Sequence, residues 1–313
     1  MINIGIINEL SPREEDSSFV ALIKSCGENK DLEKGATLHI HLLKRGLLDN
    51  KPYLACSLIC MYTKCSMFDE ALQVLEDYRI QTVYTWNALI VGYAKKGLGQ
   101  EALNCFEKMQ SHEGLSPDVV TFTCILKACG KVGAINKGEQ IHGEIVKKGF
   151  LEKDVVLGNA LVDMYAKCGI LVKAKQVLED LPVRDIVSWN ALIAGYVQQG
   201  QGQEALNCLE HMQSEGLYPD SVTFICTLKA CGIARAIDKG RQIHDEIVRR
   251  HMLAKDVLLG TALINMYSKC GMLAKAQEVL KELPFQNAAT WNALIAGCVE
   301  QGKSEEALKY YVM

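Results

Sequence analysis

Apolar positions along this chain fall in short stripes of helical period, separated by glycines. Trp189, Leu192, Ile193 and Tyr196 stand at i, i+3, i+4 and i+7, the spacing that lines one side of an α-helix. Gly200 and Gly202 break the chain, and a second stripe follows in Ala205, Leu206, Leu209 and Met212 before Gly216 and Pro219 end it. The pattern predicts a helical hairpin. One hairpin cannot bury its own apolar face, so neighbouring hairpins must stack. The pattern also returns: WNALIVGYAKKG at Trp86, WNALIAGYVQQG at Trp189 and WNALIAGCVEQG at Trp291 are spaced by 103 and 102 residues. IKSCG at Ile23 with LKACG at Leu126 and Leu228 keeps that step, as does the MYTKCS, MYAKCG and MYSKCG series at Met61, Met164 and Met266.

Each long period contains three shorter units of different length. Nine units follow, at 16–51, 52–82, 83–118, 119–154, 155–185, 186–220, 221–256, 257–287 and a truncated 288–313. Repeats of 31 to 36 residues built from helix pairs predict an all-α solenoid running from 16 to 313. Residues 1–15 are expected to be a poorly ordered leader.

Composition narrows the class. Hydrophobic residues make up 49% of the chain, suited to a well-buried array, yet no run approaches the ~18 apolar residues that span a membrane. Of the thirteen cysteines ten recur with the repeat, which reads as small packing residues in a reducing compartment and sets aside disulfide, metal and redox roles. No cofactor is expected.

The units resemble the P, L and S motifs of plant pentatricopeptide repeat (PPR) proteins of the PLS class. WNALIAGYVQQGQGQEALNCLEHMQSEGLYPD is P-like, VTFTCILKACGKVGAINKGEQIHGEIVKKGF is L-like and GNALVDMYAKCGILVKAKQVLEDLPVRD is S-like, in the order L, S, P three times over. The resemblance implies a right-handed superhelical α-solenoid. It also implies that single-stranded RNA binds along the first helices, one base per motif, read by the fifth and last residues of each. The pairs are Asn87 with Asp118, Asn159 with Asp185 and Asn190 with Asp220, each implying U, and Thr261 with Asn287, implying A. Thr123 with Asp154 would imply G in an L motif, Ile225 with Asp256 has no polar fifth residue, and Asn292 lacks its partner. The first two units, with Val20 and Lys51 and then Cys56 and Thr82, fit no pairing. From Val83 the expected order is U, G, U, U, unread, A, then a weakly specified pyrimidine. A second reading of the same residues is local: Asn and Asp also open and cap helices.

Two further rows follow from the resemblance. Tyr84, Val120, Val156, Val187, Val222 and Leu258 hold the second place, where bases would be sandwiched without sequence preference. Lys64, Lys95, Lys131, Lys167 and Lys269 hold the thirteenth, where a lysine would meet phosphate, while Glu28, Gln198, Ile233 and Glu300 depart from it. A lysine there also suits a helix C-terminus. With a formal net charge of −3 and a pI near 6.2, any positive surface must be local.

Catalysis is not expected. Editing members of the family carry a zinc deaminase domain that needs H-x-E and P-C-x-x-C. His142-Gly143-Glu144 and His244-Asp245-Glu246 match the first half, but no P-C-x-x-C occurs, and His39, His142 and His244 share one place in the L motif. The E/DYW extension of editing members is not among the motifs, and a downstream extension is expected in the parent protein. The rival class is a tetratricopeptide-like protein-binding scaffold, since Trp189, Leu192 and Tyr196 also fit that repeat, but its units are uniform in length. The resemblance further implies a recognition module for organellar RNA processing or C-to-U editing, docking of editing-factor proteins on the L motifs, and work in chloroplast or mitochondrion. MINIGIINELSPREED is no convincing transit peptide.

Overall fold

The computed structural model describes residues 12–49, 51–77, 81–253 and 256–312. Every regular element among them is a helix. The chain divides into two compact units, 1–150 and 151–313. The first contains α1 (Pro12–Asn29), α2 (Leu32–Lys44), α3 (Pro52–Lys64), α4 (Phe68–Asp77), α5 (Val83–Lys96), α6 (Gly99–Ser111), α7 (Val119–Val132) and α8 (Ile135–Lys147). The second contains α9 (Val155–Lys167), α10 (Leu171–Asp180), α11 (Ile186–Gln198), α12 (Gly202–Ser214), α13 (Ser221–Ala234), α14 (Ile237–Arg249), α15 (Val257–Lys269), α16 (Leu273–Glu282), α17 (Ala288–Glu300) and α18 (Ser304–Val312).

Consecutive helices pair as hairpins, and the hairpins stack through their first helices: α1, α3, α5 and α7 in one unit, and α9, α11, α13, α15 and α17 in the other. Within each unit a second helix packs against its own first helix and, where one follows in that unit, against the next, as α12 does between α11 and α13. The first helices are therefore a middle layer, and they bury far more than the single stripe their apolar spacing predicts. In α5, Thr85, Trp86, Asn87, Ala88, Leu89, Ile90, Gly92 and Tyr93 are all buried, whereas α8 buries only Gly138, Ile141 and Ile145. A helix enclosed by four neighbours, as α5 is, has little solvent face left.

The three unit lengths have a packing origin. Second helices of the 31-residue units span 10 residues, against 13 for the second helices α2, α6, α8, α12 and α14 of the longer ones. Where the longer units place Phe122 or Trp189 in the first helix, the short ones place Gly158 and Gly260, and Leu181 and Leu283 fill the space. A Cβ on Gly158 would lie 2.6 Å from Leu181 Cδ2, so the short helix and the missing side chain belong together.

His39 and His244, which share one place in the L-like units and of which the second opens an H-x-E match, follow the packing. His244 is buried, with its Nδ1 2.9 Å from the Tyr267 hydroxyl, and His39 meets Tyr62 in the same way at 2.9 Å. Burial depresses the pKa of both imidazoles. All thirteen cysteines are free, and burial pushes the thiols of Cys208 and Cys231 up to about 12.

Helix α1 opens at Pro12, ahead of the Asp16 boundary expected from the repeat; Pro at the first position and Glu14 and Glu15 in the first turn favour that start. Residues 1–11 of the expected leader lie outside the described residues. Three first helices of the longer units, α5, α7 and α13, close directly with a left-handed residue, glycine at Gly97 and Gly133 but Arg235 (φ 53°) after α13. A side chain in that conformation costs about 1 kcal/mol, partly offset by glycine's extra freedom when unfolded. Arg235→Gly is expected to raise the urea midpoint, by roughly 0.5 kcal/mol of stability, with an unchanged slope; a lower midpoint would contradict the strain.

Candidate nucleic-acid interface

In each compact unit the first helices carry a polar-edged stripe built from positions two, five, nine and thirteen of each motif. These spacings return to one side of a helix after each turn or two. On α5 the stripe is Tyr84, Asn87, Val91 and Lys95; on α11 it is Val187, Asn190, Ala194 and Gln198.

The fifth-position asparagines lie one turn inside their helices and do not cap them. The last residues do cap: Asp118, Asp185 and Asp220 stand at the N-caps of α7, α11 and α13, each in a capping box with Thr121, Ser188 or Thr223. The same carboxylates reach back to the preceding hairpin. Asn87 Nδ2 donates to Asp118 Oδ1 at 3.0 Å, Asn159 Nδ2 to Asp185 Oδ2 at 3.0 Å and Asn190 Nδ2 to Asp220 Oδ1 at 3.1 Å. Capping and pairing are thus compatible roles of one side chain, and the asparagines are buried because the next helix start lies against them.

The other expected pairs differ. Thr261 Oγ1 donates to the Val257 carbonyl at 3.0 Å, and Asn287 caps α17 by accepting from the Thr290 N–H at 3.0 Å; no hydrogen bond joins them among the described residues. Thr123, in α7, is buried with its hydroxyl unpartnered, and Asp154 caps α9 through the Leu157 N–H at 3.0 Å. Asn292 is exposed on α17.

The second-position residues Tyr84, Val120, Val156, Val187, Val222 and Leu258 are all exposed by more than half, although each sits in the first turn of a helix whose interior is buried. Tyr53 holds the same place in α3, half exposed, its hydroxyl donating to Asp16. Among the thirteenth-position lysines, Lys64 pairs with Glu28 at 3.8 Å and Lys167 with Asp163 at 2.7 Å. Lys95, Lys131 and Lys269 are exposed.

A second lysine row went unnoticed at the sequence level. Lys24, Lys127 and Lys229 hold position nine of the three L-like units, all exposed on α1, α7 and α13. The signal lay in the repeat landmarks themselves, IKSCG and LKACG, whose second residue these lysines are.

Exposed apolar side chains beside buried, paired amides and lysines at the helix ends mark a helical-repeat protein with a polar-edged stripe along the first helices of each unit. The comparisons make the class specific. A PPR repeat family model matches residues 81–150 and 184–232, and a PPR repeat model matches 55–79, 261–285 and 289–313. The chain belongs to the pentatricopeptide repeat family. It is 36% identical over 307 residues to a chloroplastic pentatricopeptide repeat-containing protein of Arabidopsis thaliana, covering 98% of this chain and 49% of the relative. A second Arabidopsis thaliana protein of the family, described as putative and mitochondrial, is 35% identical over 302 residues, 96% of this chain and 48% of the relative. The chain therefore spans about half the length of the curated relatives it matches. The fold matches the pentatricopeptide repeat protein PPR10 solved with an 18-nt psaJ RNA element, with a TM-score of 0.72 at 20% identity over 89% of this chain and 42% of that one. PPR10 from maize solved on its own gives 0.60 at 19% identity, over 94% and 50%.

The pairing has an electrostatic consequence. Burial works to raise the Asp118 and Asp220 carboxyls, but the backbone N–H groups of Thr121 and Thr223 and the Asn87 and Asn190 amides outweigh it and hold both below the ordinary carboxylate range. A carboxyl depressed in the folded state contributes stability that is present above its unfolded pKa, about 4, and lost as pH falls through the folded value. Asp220→Asn is expected to flatten the acid side of the stability–pH curve below about pH 4, measured by urea unfolding; an acid limb identical to that of the parent would refute it.

Proposed function

We propose that this chain is a sequence-specific single-stranded RNA-binding array that reads one base per motif in its P and S units. The observation that carries the proposal is the set of three Asn–Asp hydrogen bonds, at 3.0, 3.0 and 3.1 Å, repeated in one register beside exposed apolar second-position side chains. An asparagine amide supplies both a donor and an acceptor to a base edge, and the aspartate fixes which end faces where. The fold shared with PPR10, which was solved bound to RNA, and the membership of the family support it. In this proposal the units alternate as L, S and P motifs of the PLS class within a single array over 16–313. The pairs Asn87–Asp118, Asn159–Asp185 and Asn190–Asp220 select U, Thr261 with Asn287 selects A, and Thr123 with Asp154 selects G. The chain serves as the recognition module of an organellar RNA-processing or C-to-U editing factor, in chloroplast or mitochondrion as its relatives are named, with chemistry supplied by other domains or partners.

A second reading, docking of editing-factor proteins on the L units, is favoured by Leu43, Val146 and Val248. They hold one equivalent position on α2, α8 and α14, and all three are exposed.

Gel-shift titrations test the first reading. An RNA with the order U, G, U, U, any base, A is expected to bind more tightly than copies in which the three uracils are exchanged, at about 1–3 kcal/mol per mismatch if each amide is fully used. Equal binding of all copies would refute it. Replacing Lys95, Lys131 and Lys269 together with Ala should weaken every RNA alike and flatten the salt slope by about two, near 0.7 per lost phosphate contact on a single strand. Replacing Lys167, already paired with Asp163, should matter less; a selective loss of one sequence would contradict a phosphate role for the row.

A further inference from the structure

The hydroxyl group that follows each asparagine–aspartate pair does more than close a capping box. Thr121 Oγ1 lies 2.6 Å from Asn87 Oδ1 and 2.8 Å from Asp118 Oδ1, while accepting from the Asp118 N–H at 3.2 Å. Thr223 repeats the arrangement 102 residues on, 2.7 Å from Asn190 Oδ1, 2.8 Å from Asp220 Oδ1 and 3.2 Å from the Asp220 nitrogen. Each hydroxyl has one proton to give. Asp118 Oδ1 and Asp220 Oδ1 already accept two N–H groups each, from the cap and from the asparagine amide. The asparagine oxygen is the nearer acceptor in both cases, and nothing else among the described residues is bonded to it. The proton therefore belongs on Asn87 Oδ1 and on Asn190 Oδ1.

The amide is then held at both ends. The carboxylate takes one N–H, the hydroxyl takes one lone pair, and one N–H and one lone pair remain for a base. Polarity of that remainder is what separates uracil from cytosine. A uracil edge offers an N3–H donor beside a carbonyl acceptor, and a cytosine edge offers the N3 acceptor beside an amino donor. An amide free to turn over could serve either.

The third unit of this kind provides an internal contrast. Ser188 Oγ donates to the Asp185 carbonyl at 2.8 Å instead, and Asn159 Oδ1 is buried without a partner. After the L-like units there is no hydroxyl at all: Leu157 follows Asp154 and Leu259 follows Asp256 at the same spacing, both fully buried.

We propose that Thr121 and Thr223, each the third residue of the following motif, are positioning residues that lock the Asn87 and Asn190 amides in the uracil-selecting orientation. Thr121 acts through Asn87, and Thr223 through Asn190; neither touches the base. The proposal rests on the base-reading function proposed for those asparagines.

Fluorescence-anisotropy titrations of this chain test it, using the U, G, U, U, any base, A RNA and copies with cytosine for each uracil in turn. Thr121→Val should reduce the U-over-C preference opposite Asn87 about five-fold, the weight of one neutral hydrogen bond, and leave the preference opposite Asn190 intact. Thr223→Val should do the reverse. Ser188→Ala should leave the preference opposite Asn159 unchanged, because that hydroxyl is spent on the backbone. Each valine also removes one bond of a capping box, so circular-dichroism melting accompanies every variant; lost stability alone would lower affinity for both bases without changing their ratio. A parent chain that discriminates, with valine variants that discriminate equally well, would overturn the positioning role and leave base reading standing. A parent chain that binds uracil and cytosine alike opposite Asn87 and Asn190 would overturn both.

Discussion

A helical hairpin in this chain cannot close its own core, and the rest of the structure follows from that. Because an inner first helix such as α5 or α13 is enclosed by its second helix, by the first helices on either side and by the preceding second helix, its interior is buried nearly all round. At Asp118, Asp185 and Asp220 the start of a hairpin is thereby pressed against the fifth residue of the one before. An aspartate at that start must satisfy the free N–H groups of its own helix, and it meets the neighbour's asparagine at 3.0 to 3.1 Å while doing so. The contact that would read a base is in this sense a by-product of stacking: capping holds the carboxylate in place, and stacking delivers the amide to it.

That origin explains why the polar groups can sit in so dry a position. An asparagine buried without partners would cost a few kcal/mol, and at Asn87 and Asn190 both ends of the amide are engaged. The exposed second-position side chains show the complementary imbalance. Valine, leucine and tyrosine in the first turn of a helix contribute nothing to the core when more than half exposed. A row of them beside satisfied amides makes physical sense as a surface that another planar, partly apolar molecule covers.

Much of this was legible in the sequence, and the reason is the period. Stripes of apolar residues gave the hairpins, and three recurrences gave the register that joins Asn190 to Asp220 across thirty residues. What escaped is what periodicity does not encode. The direction of a hydroxyl proton at Thr121, against that at Ser188, depends on side-chain geometry within a few tenths of an ångström. The separate behaviour of Thr261 has the same cause: its hydroxyl returns to the Val257 carbonyl, an option open to any helical threonine and invisible in a motif table. The wide burial of the first helices was hidden too, since a stripe marks the most apolar side of a helix and says nothing about small residues such as Gly92 or Gly195, which allow a neighbour to approach on another side.

The three unit types can now be distinguished by chemistry as well as by length. P-like units place Asn before an aspartate that is followed by threonine, and the polar trio is complete. The second S-like unit has the pair but sends the third hydroxyl to the backbone. L-like units are followed by a buried leucine, which fills with hydrocarbon the place where the hydroxyl would stand, so any polar fifth residue there has one partner fewer. In exchange they carry Lys24, Lys127 and Lys229 in the middle of the stripe, where the P-like units have Val91, Ala194 and Ala296. A positive charge on a flexible stem suits a phosphate, which is the same at every nucleotide, and it is a poor discriminator of bases. In the proposed reading, lysines at the ninth place of the L units and at the thirteenth place of P, L and S units would be compatible with a net charge of −3. An array that bound a strand in this way would not need to be basic overall, provided its lysines stood on the stripes of its first helices.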